Sequence, residues 1–214
     1  MKILPRSFYN RNPLEVAEDL VGKILVRRLN KNIITGRIVE VEAYLAFIDE
    51  AAHSFRGKTK SNQSLFGEPG KAYIHSMHMQ NCLDVVTEEV GIPSSILIRA
   101  LEPLEGIELM KEFRHKDPLK DLTSGPGKLS QAMNISKDFN GIDLTDVSLP
   151  LNIYDDDFSY QKINKGKRIG ISKAVDSEYR FFVKDSILFQ KNRFERHVLI
   201  ALKAFRKGKV YENM

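Results

Sequence analysis

The sequence contains one cysteine, Cys82, among 214 residues. A single thiol excludes an intrachain disulfide framework and a four-thiolate zinc site. Long apolar runs are also missing: nowhere do about 18 apolar residues follow one another, so no membrane-spanning helix is expected. The opening stretch, MKILPRSFYNRNPLEVAEDL, lacks the apolar core of about 7–15 residues that a secretory signal needs. A reducing cytoplasm is therefore the expected compartment. No repeat, low-complexity tract or Pro/Gly/Ser-rich linker divides the chain, and one domain over residues 1–214 is the expected organisation.

Neither sign of charge dominates strongly. Lys plus Arg number 33 against 28 Asp plus Glu, a net charge of +5. That mild excess suits a phosphate-bearing partner, and it equally suits ordinary solubility charge. Basic residues concentrate locally at Arg56, Lys58, Lys60 and Lys71.

What is present reads as strands in hairpins with a few short helices. NPLEVAEDLVG predicts a helix, with Asn12 as cap, Pro13 in the first turn and Gly22 just past the end. KILVRRL and IITGRIVEVEAYL are β-branched and read as strands joined around NKN. KAYIHSM, CLDVVT and SSILIRAL are further strands, PLEGIELMKEFRH is a helix by its apolar spacing, and SGPGKLSQAMNI is a turn feeding a helix. RIGISKAV, YRFFVKD and SILF predict late strands. Without regular strand–helix alternation, the expected fold class is α+β: a curved, mostly antiparallel, partly barrel-like sheet flanked by short helices.

The segment GRIVEVEAYLAFIDEAAHSFRGKT, Gly36 to Thr59, concentrates unusual chemistry. Alternation in a strand places Val39, Val41, Ala43 and Leu45 on one face and Glu40, Glu42 and Tyr44 on the other. Alone, the acidic face is most simply a solvated one. Asp49, Glu50 and His53 follow at once, and a group of cations comes after them.

Four blocks together, GRIVEVEAYL, DEAAHSFRG, ILIRALEPLEGIELM and SGPGKLSQAM, resemble the alkyladenine (3-methyladenine) DNA glycosylase family in order and spacing. The resemblance runs from about Gly22 to Asp185. It implies an enzyme that flips a damaged purine out of duplex DNA and hydrolyses its N-glycosidic bond, leaving an abasic site. In that resemblance Glu42 matches the catalytic glutamate, with Glu40 the weaker candidate, and Arg99 matches the arginine beside the site. Tyr44 and His53 match the residues that sandwich the flipped base. The resemblance further implies a monomer acting on double-stranded DNA, with no cofactor and no metal.

The chain departs from the family in one hairpin. Tyr73, His75 and His78 stand where the family carries three tyrosines, and the stretch to Cys82 is one residue short. His75 is expected to stack on the base, and the wedge in the duplex is expected to be one of His78, Met77 and Met79. Asp84 stands where the family has asparagine, so an acceptor replaces a donor on the pocket floor. Ser61 replaces a common arginine, leaving Arg56, Lys58 and Lys60 as the expected phosphate contacts.

Three other readings compete. His75-x-x-His78 has ligand-like spacing, although a metal site needs a third ligand and supporting partners. The same fold would also serve a non-catalytic DNA-binding protein. Arg99 has a structural alternative, an ion pair with Glu102 or Glu105.

Overall fold

The structure, a computed structural model, describes residues 1–184. Its frame is an antiparallel sheet whose strands are β1 (Lys2–Ile3), β2 (Ile24–Leu29), β3 (Asn32–Tyr44), β4 (Ala72–Met77), β5 (Gln80–Thr87), β6 (Ser94–Glu105), β7 (Leu151–Asp155), β8 (Asn164–Gly166) and β9 (Arg180–Phe182). The main order is β1-β7-β2-β3-β6-β5-β4. In addition β9 pairs with the Glu40–Glu42 stretch of β3, and β8 pairs with β9. The sheet is not closed. Among the described residues four α-helices accompany it: α1 (Arg6–Tyr9), α2 (Pro13–Leu20), α3 (Ile107–Arg114) and α4 (Pro126–Ala132). The α+β expectation holds, and among the described residues no helix is long and apolar enough to cross a membrane.

Local chemistry explains the helix ends. Asn12 caps α2 by accepting from the Leu14 amide at 2.9 Å, with Pro13 at the first position. The predicted helix over PLEGIELMKEFRH begins later than its apolar spacing suggests. Strand β6 runs on through Pro103 to Glu105, and α3 starts only after Gly106. Gly106 holds φ +74°, and a Cβ there would lie 2.7 Å from the Ile33 carbonyl oxygen, so the corner requires glycine.

The main core lies between one sheet face and the helices. Val16, Ala17 and Leu20 of α2, Met110 of α3, and Leu129 and Ala132 of α4 pack with Ile38, Val41, Ala43, Ile96 and Ile98. Strict alternation along β3 fails at Val39, which is buried but stands outside this cluster. The reason is an irregular register: Ile38 pairs with Leu101, Glu40 with Ala100 and Val41 with Ile98, so Val39 and Arg99 each lack an opposite residue. Such bulges bend a strand and re-aim side chains.

The late segment differs from expectation. RIGISKAV forms turns and loop rather than a strand, and YRFFVKD contributes only Arg180–Phe182. Apolar alternation there serves a cavity wall rather than a ladder, as described below. SILF lies outside the described residues.

The shortened hairpin is as tight as a hairpin can be. Met77 pairs with Gln80, leaving His78 and Met79 as a two-residue loop with φ +48° and +64°. Such loops need positive φ at both positions, which normally favours Asn-Gly. A histidine and a methionine therefore hold a left-handed backbone that disfavours them. We expect His78→Asn/Met79→Gly to stabilise the protein by about 1 kcal/mol, raising the thermal midpoint by about 2–4 °C. An unchanged or lower midpoint in calorimetry contradicts strain at this tip.

Candidate active site

Cross-strand pairing assembles the site. Arg180, Glu42, Leu97, Asp84 and Tyr73 are successive partners across β9, β3, β6, β5 and β4. Directly opposed residues share a face, and here it is the face away from the main core. A cavity of about 270 Å³ opens on this row. Tyr44, His53, His75, Asp84 and Arg99 line it together with the segment Ile169–Lys173. Five of the six residues expected to be catalytic or to bind the base thus reach one cavity wall. The sixth, Glu42, lies directly behind that wall with 0% of its side chain exposed.

Three donors hold Glu42. Its Oε2 accepts from the Tyr44 hydroxyl and from Arg99 Nη1, both at 3.0 Å, and its Oε1 accepts from the Ile169 amide at 2.7 Å. Burial raises the carboxyl pKa above the ordinary glutamate value, with Arg99, the Ile169 amide and Tyr44 opposing that rise and Glu40 adding to it. The phenol of Tyr44 is itself pushed up by burial and by the charge of Glu42, so it remains a donor. Glu40 differs: it is partly exposed, accepts from Arg99 Nε and Arg180 Nη1 at 3.2 Å, and borders another cleft beside Phe182. Arg99 therefore bridges both acids of β3. The alternative pairing with Glu102 or Glu105 is not what holds its guanidinium here.

A second set of rings faces Glu42's side of the cavity. The His53 and His75 rings meet edge to face at 4.4 Å, and Tyr73 stacks on His75 at 5.3 Å with planes 23° apart. His53 Nδ1 lies 3.2 Å from the Tyr73 hydroxyl, and burial, with the charge of His75 second, pushes the His53 pKa down. Beneath them Asp84 is buried, its Oδ1 3.1 Å from His75 Nε2 and its Oδ2 accepting from Ser95 Oγ at 2.7 Å. Cys82 is buried nearby, and its thiol is pushed up to about 11 by burial and by Asp84.

The remaining expected residues scatter around the rim. Met77 lines the cavity, whereas His78 and Met79 border a groove next to α4. Met79 is fully exposed at the hairpin tip. Arg56, Lys58 and Lys60 are exposed on the loop that follows His53. His75 and His78 thus point to different clefts, and among the described residues no three His, Cys, Asp or Glu side chains converge as a metal site.

Several contributors carry no clear signal in the sequence. Asn62, buried, donates to the carbonyls of His53 and Gly57 and accepts from the Thr59 amide, which fixes the loop carrying His53. Lys173 stands at the cavity rim, 3.8 Å from Glu50, where no pocket lysine was expected. Arg168 is fully buried against Asp49, with its guanidinium 4.6 Å from the Tyr44 ring centre and 5.2 Å from that of Tyr179. The only sequence signal for Asn62 is a polar residue in a loop that otherwise carries cations and small residues, whereas Asp49 belongs to the acidic stretch before His53. Arg168 sits 119 residues from Asp49, and no local pattern announces that pair.

Comparison with known proteins bears on this arrangement. The family model described as methylpurine-DNA glycosylase (MPG) matches residues 7–187. A protein of Alkaliphilus oremlandii named "Putative 3-methyladenine DNA glycosylase" is 43% identical over 196 residues, covering 86% of this chain and 96% of its own. Proteins of the same name from Francisella tularensis subsp. tularensis and Methanocella arvoryzae are 45% and 44% identical, over 83% and 87% of this chain and 93% and 94% of theirs. The chain belongs to the methylpurine-DNA glycosylase family, hydrolases of N-glycosyl bonds in DNA.

Proposed function

We propose that this enzyme swings a damaged purine, such as 3-methyladenine or hypoxanthine, out of duplex DNA and hydrolyses its N-glycosidic bond with Glu42 as general base. One observation carries the reading: a buried carboxylate, held by three donors, lies immediately behind a cavity walled by aromatic rings. A base inside a duplex is out of reach of such a cavity, so the nucleotide must be extruded.

The geometry supports a role for each residue in this reading. Bond cleavage develops positive charge on the sugar, which a fixed carboxylate stabilises while it deprotonates the attacking water. An ionised carboxylate has about four acceptor positions. Tyr44, Arg99 and Ile169 use three, and the fourth, on Oε1, serves the water. Because Glu42 is sealed in the free enzyme, that water arrives only if the Ile169 side chain turns aside while its amide stays on Glu42. Tyr44, His53 and His75 supply flat faces for the purine; stacking on such faces is worth about 1–3 kcal/mol per base in single-strand binders. Asp84 forms the floor beneath them. Met77, His78 and Met79 form the wedge that fills the gap left in the duplex, because apolar side chains unstack base steps from the minor groove. Arg56, Lys58 and Lys60 neutralise phosphates. The enzyme acts as a cytoplasmic monomer, associates with the nucleoid through its DNA contacts and needs only water as co-substrate.

Glu42→Gln keeps the shape and removes the base. Single-turnover excision from a lesion-bearing duplex should fall by at least about 100-fold, with binding retained. The wild-type rate should decline on acidification at a pH above that of an ordinary glutamate, since protonation silences the base and burial makes protonation easier. A near-wild-type rate for Glu42→Gln removes Glu42 from this role.

If about 4–6 phosphates are neutralised, log affinity should fall against log salt with a slope of about −4 to −5, and Lys58→Ala should flatten it by about one. A flat profile measured by fluorescence anisotropy contradicts the DNA contacts assigned here.

A lyase mechanism requires an amine to attack the sugar and form a Schiff base. Lys173 is a pocket amine, but it is largely exposed and paired with Glu50. Borohydride should therefore trap no covalent protein–DNA adduct during excision. A trapped adduct that disappears in Lys173→Ala would replace simple hydrolysis with lyase chemistry.

A further inference from the structure

We propose that Arg168 is the positioning residue of the site, a buried clamp that seats the Ile169 amide on Glu42 and sets the ring of Tyr44. The inference deepens the proposed function, because it concerns the group assigned there as general base. The geometry is specific. Arg168 Nη1 donates to the Ala43 carbonyl at 2.9 Å and to Asp49 Oδ2, and Nη2 donates to Asp49 Oδ1 at 2.8 Å. The flat guanidinium also faces Tyr44 and Tyr179. One side chain therefore ties together β3, the loop after it, the segment before β9 and the cavity wall. The next residue in the chain delivers its amide to Glu42 Oε1.

A buried ion pair kept only for stability is weakly motivated, since desolvation consumes much of its attraction. Arg168 carries a further cost: its Nε is buried with no hydrogen-bond partner among the described residues. What the clamp uniquely does is fix the backbone that donates to Glu42 and the ring whose hydroxyl donates to it. A lysine cannot reproduce this, because one ammonium cannot both fork to a carboxylate and lie flat between two rings.

The consequence is electrostatic. Facing Glu42 are Arg99 from β6, Glu40 and Tyr44 from β3, and the Ile169 amide, with Arg180 acting through Glu40 and the Arg168 charge, paired with Asp49, behind Tyr44. Arg99 and Tyr44 favour the ionised form, as does the amide, while burial and Glu40 oppose it. Freeing the amide and the ring removes two of the three favourable contacts and leaves burial in place. Glu42 should then protonate at a higher pH.

The test follows the Glu42 carboxyl by ¹³C NMR in the full chain labelled at glutamate, with the resonance assigned by its loss in Glu42→Gln. The variants are Arg168→Lys, and Arg168→Met/Asp49→Asn, which leaves no unpaired buried carboxylate if the lysine variant folds poorly. Ile169→Pro deletes the amide hydrogen, together with the isoleucine side chain, and restrains the backbone of Arg168. The expected result is a Glu42 midpoint raised by about one pH unit, a tenfold gain in proton affinity, in the Arg168 variants and in Ile169→Pro. The acid limb of the single-turnover excision profile should move with it. A midpoint that rises in Ile169→Pro but stays at the wild-type value in the Arg168 variants overturns the clamp, as does no movement in any variant. Absence of excision by the wild-type protein would instead defeat the glycosylase reading, and the NMR midpoint would still decide the role of Arg168.

Discussion

The site is organised around one electrostatic constraint, a carboxylate taken wholly out of water and kept useful by its neighbours. Burial alone favours the neutral acid, which cannot deprotonate a water. Glu42 meets a guanidinium, a phenol and a backbone amide, and each of these comes from a different part of the chain. Much of the architecture serves that meeting. β3 brings Tyr44 two residues from Glu42 on the same face, β6 brings Arg99, and the segment after β8 lays Ile169 across the top.

The irregular pairing between β3 and β6 matters for the same reason. In a regular ladder Arg99 would sit opposite one residue of β3 and alternate away from its neighbours. As the residue skipped by the pairing, it reaches Glu40 through Nε and Glu42 through Nη1. Glu40 is in turn shared with Arg180, so the charges alternate in sign from β9 to β6. The cavity itself combines this charged wall with an aromatic one. His53 and His75 line the opening edge to face, Tyr73 stacks against His75, and Asp84 lies 3.1 Å from His75 Nε2.

Much of this is legible in the amino-acid sequence. Strands β2 to β6 follow alternation and β-branched composition, and α2 follows its cap and proline. Such signals are local, so the sequence expresses them directly. The family resemblance singles out Glu42, Tyr44, His53, Asp84 and Arg99, and these converge on one cavity or stand directly behind its wall. What the sequence hides is non-local. β1, α1 and β8 are too short to carry a period, and β8 exists only because β9 lies beside it. RIGISKAV reads as a strand because Ile169 and Ile171 alternate with small or polar residues, yet both isoleucines face the cavity. Nothing near position 168 shows that its arginine will be buried against an aspartate from the loop after β3. Burial of Glu42 is also beyond reach, since alternation assigns a face without saying what covers it.

The proposed mechanism depends on whether the sealed carboxylate meets water when DNA is bound. A crystal structure of the enzyme with duplex DNA carrying a cationic sugar mimic at the flipped position would show this directly. The predicted result is the Ile169 side chain turned aside with its amide still on Glu42, and one water between Glu42 Oε1 and the anomeric position, within about 2.6–3.2 Å of the carboxylate. A nucleotide seated in the cavity with Glu42 still covered and no water beside it would contradict that mechanism.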